Sequence, residues 1–181
     1  MENYLIETPS IDYMNPLIQD KVRELMNKSE DNWDYIKRSY IFVRDEIPHS
    51  WNIKTDVVSK TASEVIENKT AICWTKSCIL AALLRANKIP SGISYQLLTR
   101  AYDASEGYMI HALNTLHIKD LNKWIRLDAR EMRKILMHIS VWMRSTLLIQ
   151  FKVNWVKLII GIIMMIWMKD WLIYLGNVKI Y

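Results

Sequence analysis

The sequence predicts an α+β fold in which N-terminal helices and one central apolar helix pack on a small antiparallel sheet. Three observations lead there. Apolar residues recur at helical spacing between residues 16 and 87. The pattern then changes to short β-branched and aromatic runs, separated by polar connectors, between residues 92 and 129. Helices gathered ahead of strands form layers instead of alternating βαβ units. With 181 residues, the chain suffices for one domain with a real core and is short for two.

The elements follow in order. PLIQDKVRELMNK (16–28) reads as a helix, with Pro16 in its first turn and Leu17, Val22, Leu25 and Met26 on one side. SEDNWDYIKRSYIFVRDEI (29–47) reads as a second helix carrying Trp33, Ile36, Tyr40, Ile41 and Val43, ended by Pro48. A polar loop follows. TASEVIENK then offers a capping-box start, Thr61 with Glu64 three residues on, for a short helix. Helical spacing returns from Cys73 to about Asn87, with Ile79, Leu80, Leu83 and Leu84 as the buried stripe. GISYQLLTR, YMIHALNTLHI and WIRLDA are the strands. No internal repeat or low-complexity linker interrupts them.

Charge and cysteine usage narrow the function classes. The net charge is +5, but the chain up to Arg130 holds 17 Lys+Arg and 17 Asp+Glu, and the excess lies scattered singly beyond it. A nucleic-acid partner is therefore not expected. Cys73 and Cys78 lie five apart on one predicted helix, on different faces, so they are not expected to join as a disulfide. No basic stretch followed by an apolar run opens the chain, and a reduced, cytoplasmic setting is the expectation. No Cys/His pair has metal-ligand spacing, and neither a metal nor another cofactor is expected.

The chemistry-bearing residues are Cys73, His111 and Asp128. A cysteine opening a helix has its thiolate favoured by unpaired amides and the macrodipole, and the same amides can hold an oxyanion. His111 lies mid-strand in YMIHALN and Asp128 lies 17 residues on in WIRLDAR. A hairpin folded near residues 119–120 would set them about opposite each other, as a base and the carboxylate that orients it. The pattern alone leaves other readings open: a small buried cysteine, a satisfied strand histidine, and a carboxylate paired with Arg126 or Arg130. Trp74 is a candidate wall of the thiolate pocket or core filler. Gln96 is a candidate hydrogen-bonding partner of substrate or intermediate, or a neutral strand residue. His49, in IPHSW, is a candidate lining residue of the cleft. Cys78 reads as packing.

KTAICWTKSCILAALLRANKIPSGISYQLLT, then GYMIHALN, then WIRLDAR, resemble the bacterial transglutaminase-like superfamily, thiol enzymes on a papain-related fold. The resemblance covers about residues 3–130 and includes VRDEIPHS ahead of the helix; Ala71 stands where the pattern has Gly. It implies Cys73 as nucleophile, His111 as base and Asp128 as the orienting carboxylate. It also implies a protein or peptide carboxamide substrate and no cofactor. Residues 1–130 are thus expected to form a transglutaminase-like domain.

Beyond Arg130 the composition alters: residues 131–181 hold 4 of the 8 Trp and 6 of the 10 Met. A membrane anchor is not favoured, because the unbroken apolar run LIIGIIMMIWM is 11 residues against the roughly 18–20 a span needs. Trp and Met codons end in G, and Met and Ile codons begin with AT. One frame over, Trp142-Met143, Met164-Met165, Met165-Ile166 and Trp167-Met168 all spell aspartate. This segment is accordingly expected to be an aberrant tail, the out-of-frame translation that follows loss of one nucleotide near the Glu131 codon. Sequencing the underlying DNA tests this, and an intact frame with unrelated codons sinks it.

Overall fold

The computed structural model describes residues 1–99 and 107–130. Arg100, at the end of the first predicted strand, and all of the 131–181 segment lie outside the described residues. So do the anchor and reading-frame expectations for that tail.

Helix α1, Pro16–Asn27, starts on Asn15, whose side-chain oxygen accepts from the Leu17 amide at 3.0 Å. It buries Ile18, Val22 and Leu25. Leu17 and Met26, expected on that face, are exposed, because the inward stripe runs through Ile18. Helix α2, Asn32–Ile41, is capped by Asp31, whose carboxylate accepts from the Asp34 amide at 2.8 Å. It does not run on to residue 47 as a regular helix: Phe42–Glu46 form a wider π turn. The carbonyls of Arg44 and Ile47 instead receive the Lys76 ammonium, at 3.2 and 2.6 Å.

The expected loop after Pro48 contains a short helix, α3, Ser50–Ile53, started by His49. Helix α4, Ala62–Asn68, has the predicted Thr61 cap, with Thr61 Oγ1 accepting from the Glu64 amide at 3.2 Å. The reciprocal bond is displaced by one residue: the Lys60 amide, in place of Thr61's own, donates to Glu64 Oε2 at 2.7 Å.

Helix α5, Cys73–Ala86, is the axis of the structure. Every residue from Thr75 to Arg85 is buried, so the predicted one-sided stripe becomes a helix covered all round. Helices α1, α2 and α4 pack against it, as do strands β1, Ser91–Thr99, and β2, Tyr108–Ile118. Strand β3, Lys123–Leu127, completes an antiparallel sheet of order β1-β2-β3. Arg85 anchors the far end of α5, donating to the Ser91 carbonyl at 2.8 Å and the Ile6 carbonyl at 2.7 Å. Among the described residues no helix is long and apolar enough to cross a membrane.

Candidate active site

Cys73 is the first residue of α5, and the residue before it, Ile72, has no side-chain acceptor to cap the helix. Among the described residues no side chain caps the first-turn amides around the sulfur. The helix is held in place from below. Ser77 Oγ donates to the Cys73 carbonyl at 3.0 Å, and the fully buried Asn114 donates from Nδ2 to the Ser77 carbonyl at 2.8 Å. Asn114 thus locks the register of α5 against β2, and with it the position of Cys73 relative to His111.

His111 is 1% exposed, on the part of β2 where residues 111–114 are all buried. Its Nε2 meets Asp128 Oδ2 at 2.8 Å, while Asp128 Oδ1 accepts from the Arg130 amide at 2.9 Å. The pair forms, but not by direct cross-strand opposition. The turn at Lys119–Leu121, closed by Asn122 in the left-handed region, pairs Asn114 with Leu127. Continuing that register would set Asp128 opposite Leu113. β3 has ended by then, and the carboxylate reaches His111 diagonally from the first residue past the strand. It remains 43% exposed.

With Nε2 engaged by Asp128, the buried Nδ1 of His111 is the nitrogen left for the thiol, and among the described residues it has no partner at ideal hydrogen-bonding geometry. Thiol–imidazole contacts are often loose before substrate arrives. The electrostatics still couple the two groups. Burial acts most strongly on Cys73 and raises its pKa, but His111, His49 and the Ala112 amide together outweigh it and pull the thiol down to about 5. His111 is raised to about 9, chiefly by the Asp128 carboxylate and then by Cys73, against the effect of burial. Between these values the pair is a thiolate and an imidazolium.

His49, expected only to line the cleft, therefore sits beside the thiol. Its main chain bridges to Ala71, two residues ahead of Cys73: the Ser50 amide donates to the Ala71 carbonyl at 2.9 Å and the Ala71 amide to the Pro48 carbonyl at 3.3 Å. Ala71 does not adopt a positive φ, so its methyl costs no backbone strain where the family pattern has Gly. Trp74 stands next along α5, partly buried against the core. Gln96 pairs with His111 across β1 and β2, and its buried side-chain oxygen has no hydrogen-bond partner among the described residues. Its strand neighbours Tyr95 and Leu97, and Ile110 beside His111, alternate to the opposite, exposed face of the sheet and lie outside the site. Among the described residues, no group of three or more His, Cys, Asp or Glu is placed to hold a metal ion.

Two contributors were not legible from the sequence pattern. Asn114 looked like one more strand residue, although an amide inside an apolar strand is itself a signal of a buried partner. Lys76, 1% exposed and bonded to two carbonyls of the segment leading to His49, carried no comparable signal.

The sequence matches the Transglutaminase-like superfamily over residues 19–129. The chain belongs to that superfamily. Its fold agrees with that membership. The chain is similar to a solved protein described as a "Putative Cysteine Protease from Cytophaga hutchinsonii", with TM-score 0.56 and 18% identity over 71% of this chain and 41% of that one. It is also similar to the periplasmic domain of TgpA from Pseudomonas aeruginosa. In the structure with ethylmercury bound, the TM-score is 0.53 with 13% identity, over 71% of this chain and 47% of that one. A second structure of that domain gives 0.53 and 14%, over 71% and 46%. This superfamily member spans less than half the length of each of those structures. Among curated protein sequences none matches.

Proposed function

We propose that this transglutaminase-like chain is a thiol-dependent acyl-transfer enzyme, with Cys73 as nucleophile, His111 as general acid and base and Asp128 as the group that orients His111. The observation that carries this reading is the 2.8 Å His111–Asp128 contact beside a helix-opening thiol whose pKa is held at about 5. The Cys73 thiolate adds to a carboxamide or peptide carbonyl, forming the C–S bond and placing the π electron pair on oxygen. The carbonyl re-forms, the C–N bond breaks, and the departing amine or ammonia takes its proton from His111. Water or a second amine then adds to the thioester after losing a proton to His111, and the thiolate leaves. Hydrolysis and crosslinking use the same residues. Trp74, next to the nucleophile on α5, and Gln96, paired with His111 across the sheet, border the bound acyl group.

Iodoacetamide at pH 7 tests the reading. Cys73 is expected to alkylate at least about 100-fold faster than Cys78, with its rate rising through pH 5 as the thiolate forms. Amide turnover needs the imidazolium as well, so it should rise through about 5 and fall through about 9. Equal, slow labelling of both thiols would sink the proposal.

A further inference from the structure

The two imidazoles beside Cys73 are in different chemical states, and that difference assigns them different work. His111 has Nε2 on a carboxylate, which leaves Nδ1 as the nitrogen that exchanges a proton with the sulfur and the leaving group. His49 is the reverse. Its Nδ1 accepts from the Trp51 backbone amide at 3.2 Å, so the ring proton must sit on Nε2, and that nitrogen can only donate. His49 is only 9% exposed, and its neighbourhood is clamped from several sides. Besides the bridge to Ala71, Thr70 Oγ1 donates to the Pro48 carbonyl at 3.3 Å and Lys76 Nζ to the Ile47 carbonyl at 2.6 Å. Lys76 lies on the first turn of the helix that Cys73 opens, so the same helix carries the nucleophile and grips the segment that aims His49.

The His49 ring, whose remaining donor is Nε2, acts on the resting sulfur from a segment bridged to Ala71, two residues ahead of Cys73, and so meets the negative charge where it starts. When sulfur bonds to carbon, that charge moves two bonds away, onto the former carbonyl oxygen. A donor already aimed at the thiolate needs only a small shift to follow it, and the uncapped amides at the start of α5 approach the same oxygen. We propose that His49 is a catalytic residue of the oxyanion hole, donating from Nε2 to the carbonyl oxygen of the acyl substrate as the tetrahedral intermediate forms. No proton is transferred in this contact; the hydrogen bond strengthens as charge builds and relaxes when the carbonyl returns. The inference rests on Cys73 being the acylated nucleophile and adds the group that stabilises its intermediate.

The test compares two reactions of one sulfur in the full-length chain. p-Nitrophenyl acetate acylates Cys73 through an oxyanion, whereas iodoacetamide alkylates it by displacing iodide and forms none. The informative variant is His49→Asn, because the shorter amide still offers an oxygen to the Trp51 N–H but no donor at the Nε2 position. At pH 7.5 the p-nitrophenolate burst rate is expected to fall about 100-fold or more. Alkylation should stay within about threefold and remain confined to Cys73, which also reports that the site is folded. His49→Gln, which returns an N–H near the Nε2 position, should recover part of the lost acylation. Parallel loss of both reactions, or loss of neither, overturns the proposal. Wild-type protein without selective alkylation of Cys73 would instead overturn the acyl-transfer reading on which it rests.

Discussion

Cys73 and Cys78 lie five residues apart on one helix, and their chemistry diverges by the width of the physiological range. The thiol of Cys73 is drawn down to about 5, while burial pushes Cys78 up to about 12. Burial is the largest influence on both and acts in the same direction. The difference lies in what surrounds them. Cys73 stands where the helix leaves amides uncapped, with His111, His49 and the Ala112 amide around it. Cys78 is fully buried one helical stretch further in, among residues of the core, with only the more distant Arg85 favouring its charged form. A thiol inside a protein is inert by default, and reactivity is built by position on the helix and by partners.

The sharpest way to break this contrast is His111→Ala. It removes the group proposed to serve as both base and acid, and amide turnover is expected to fall by about 10³-fold or more. Alkylation falls far less, and the size of the drop is informative. If the Cys73 pKa rises to the ordinary ~8.5, the thiolate fraction at pH 6 drops about 300-fold, but the more basic thiolate is intrinsically about 25-fold more nucleophilic. The net loss at pH 6 is thus roughly 10-fold, and the alkylation midpoint should move up from about 5. Measuring turnover and labelling on the same preparation separates proton transfer from thiolate formation. An unmoved midpoint would mean that His111 does not hold the thiolate.

How much of this was legible in advance depends on the range of the interaction. The helix opening at Cys73 and the strand around His111 are local patterns, and both elements form as expected. The Thr61 cap is local too, and it missed only in the partner of Glu64. The His111–Asp128 pair required a register, and the turn closes about one residue later than expected. The pair still formed because Asp128 lies beyond the strand end, where the chain is released from the ladder. Lys76 and Asn114 were invisible because their roles exist only between elements distant in sequence, the one binding the turn before His49 and the other a carbonyl of α5. His49 was noticed as a lining residue, but its proton-donating state depends on an amide that only the short helix after Pro48 presents.

A smaller effect is expected at Asp128, and it sharpens what a partly exposed carboxylate contributes. Asp128→Asn keeps the size of the side chain and loses the charge that most strongly raises His111. The imidazolium then gives up its proton at lower pH, so the alkaline limb of the turnover profile should retreat from about 9 toward neutrality. Because the carboxylate is 43% exposed, water takes over part of its role, and the loss at the optimum should be about 10- to 100-fold, well short of the loss at His111. A full loss equal to that of His111→Ala would show that Asp128 controls the ring tautomer outright. An unmoved alkaline limb would remove Asp128 from the site.

The smallest effect belongs to the other cysteine. Cys78 is 0% exposed in a core with Ile79, Leu80 and Leu83, and no hydrogen bond would be broken by its removal among those described. Cys78→Ala deletes one sulfur and leaves a cavity smaller than a leucine truncation leaves, which sets the cost at about 1 kcal/mol in denaturant unfolding. Turnover per folded molecule and the alkylation midpoint of Cys73 should both stay where they are. The two substitutions thus act on separate quantities: Cys73→Ser should remove activity with little change in stability, and Cys78→Ala should lower stability with little change in activity. If Cys78→Ala instead displaced the Cys73 midpoint, the helix would be transmitting core packing to its first turn. The Ser77 and Asn114 hydrogen bonds would then not be sufficient to hold the sulfur beside His111.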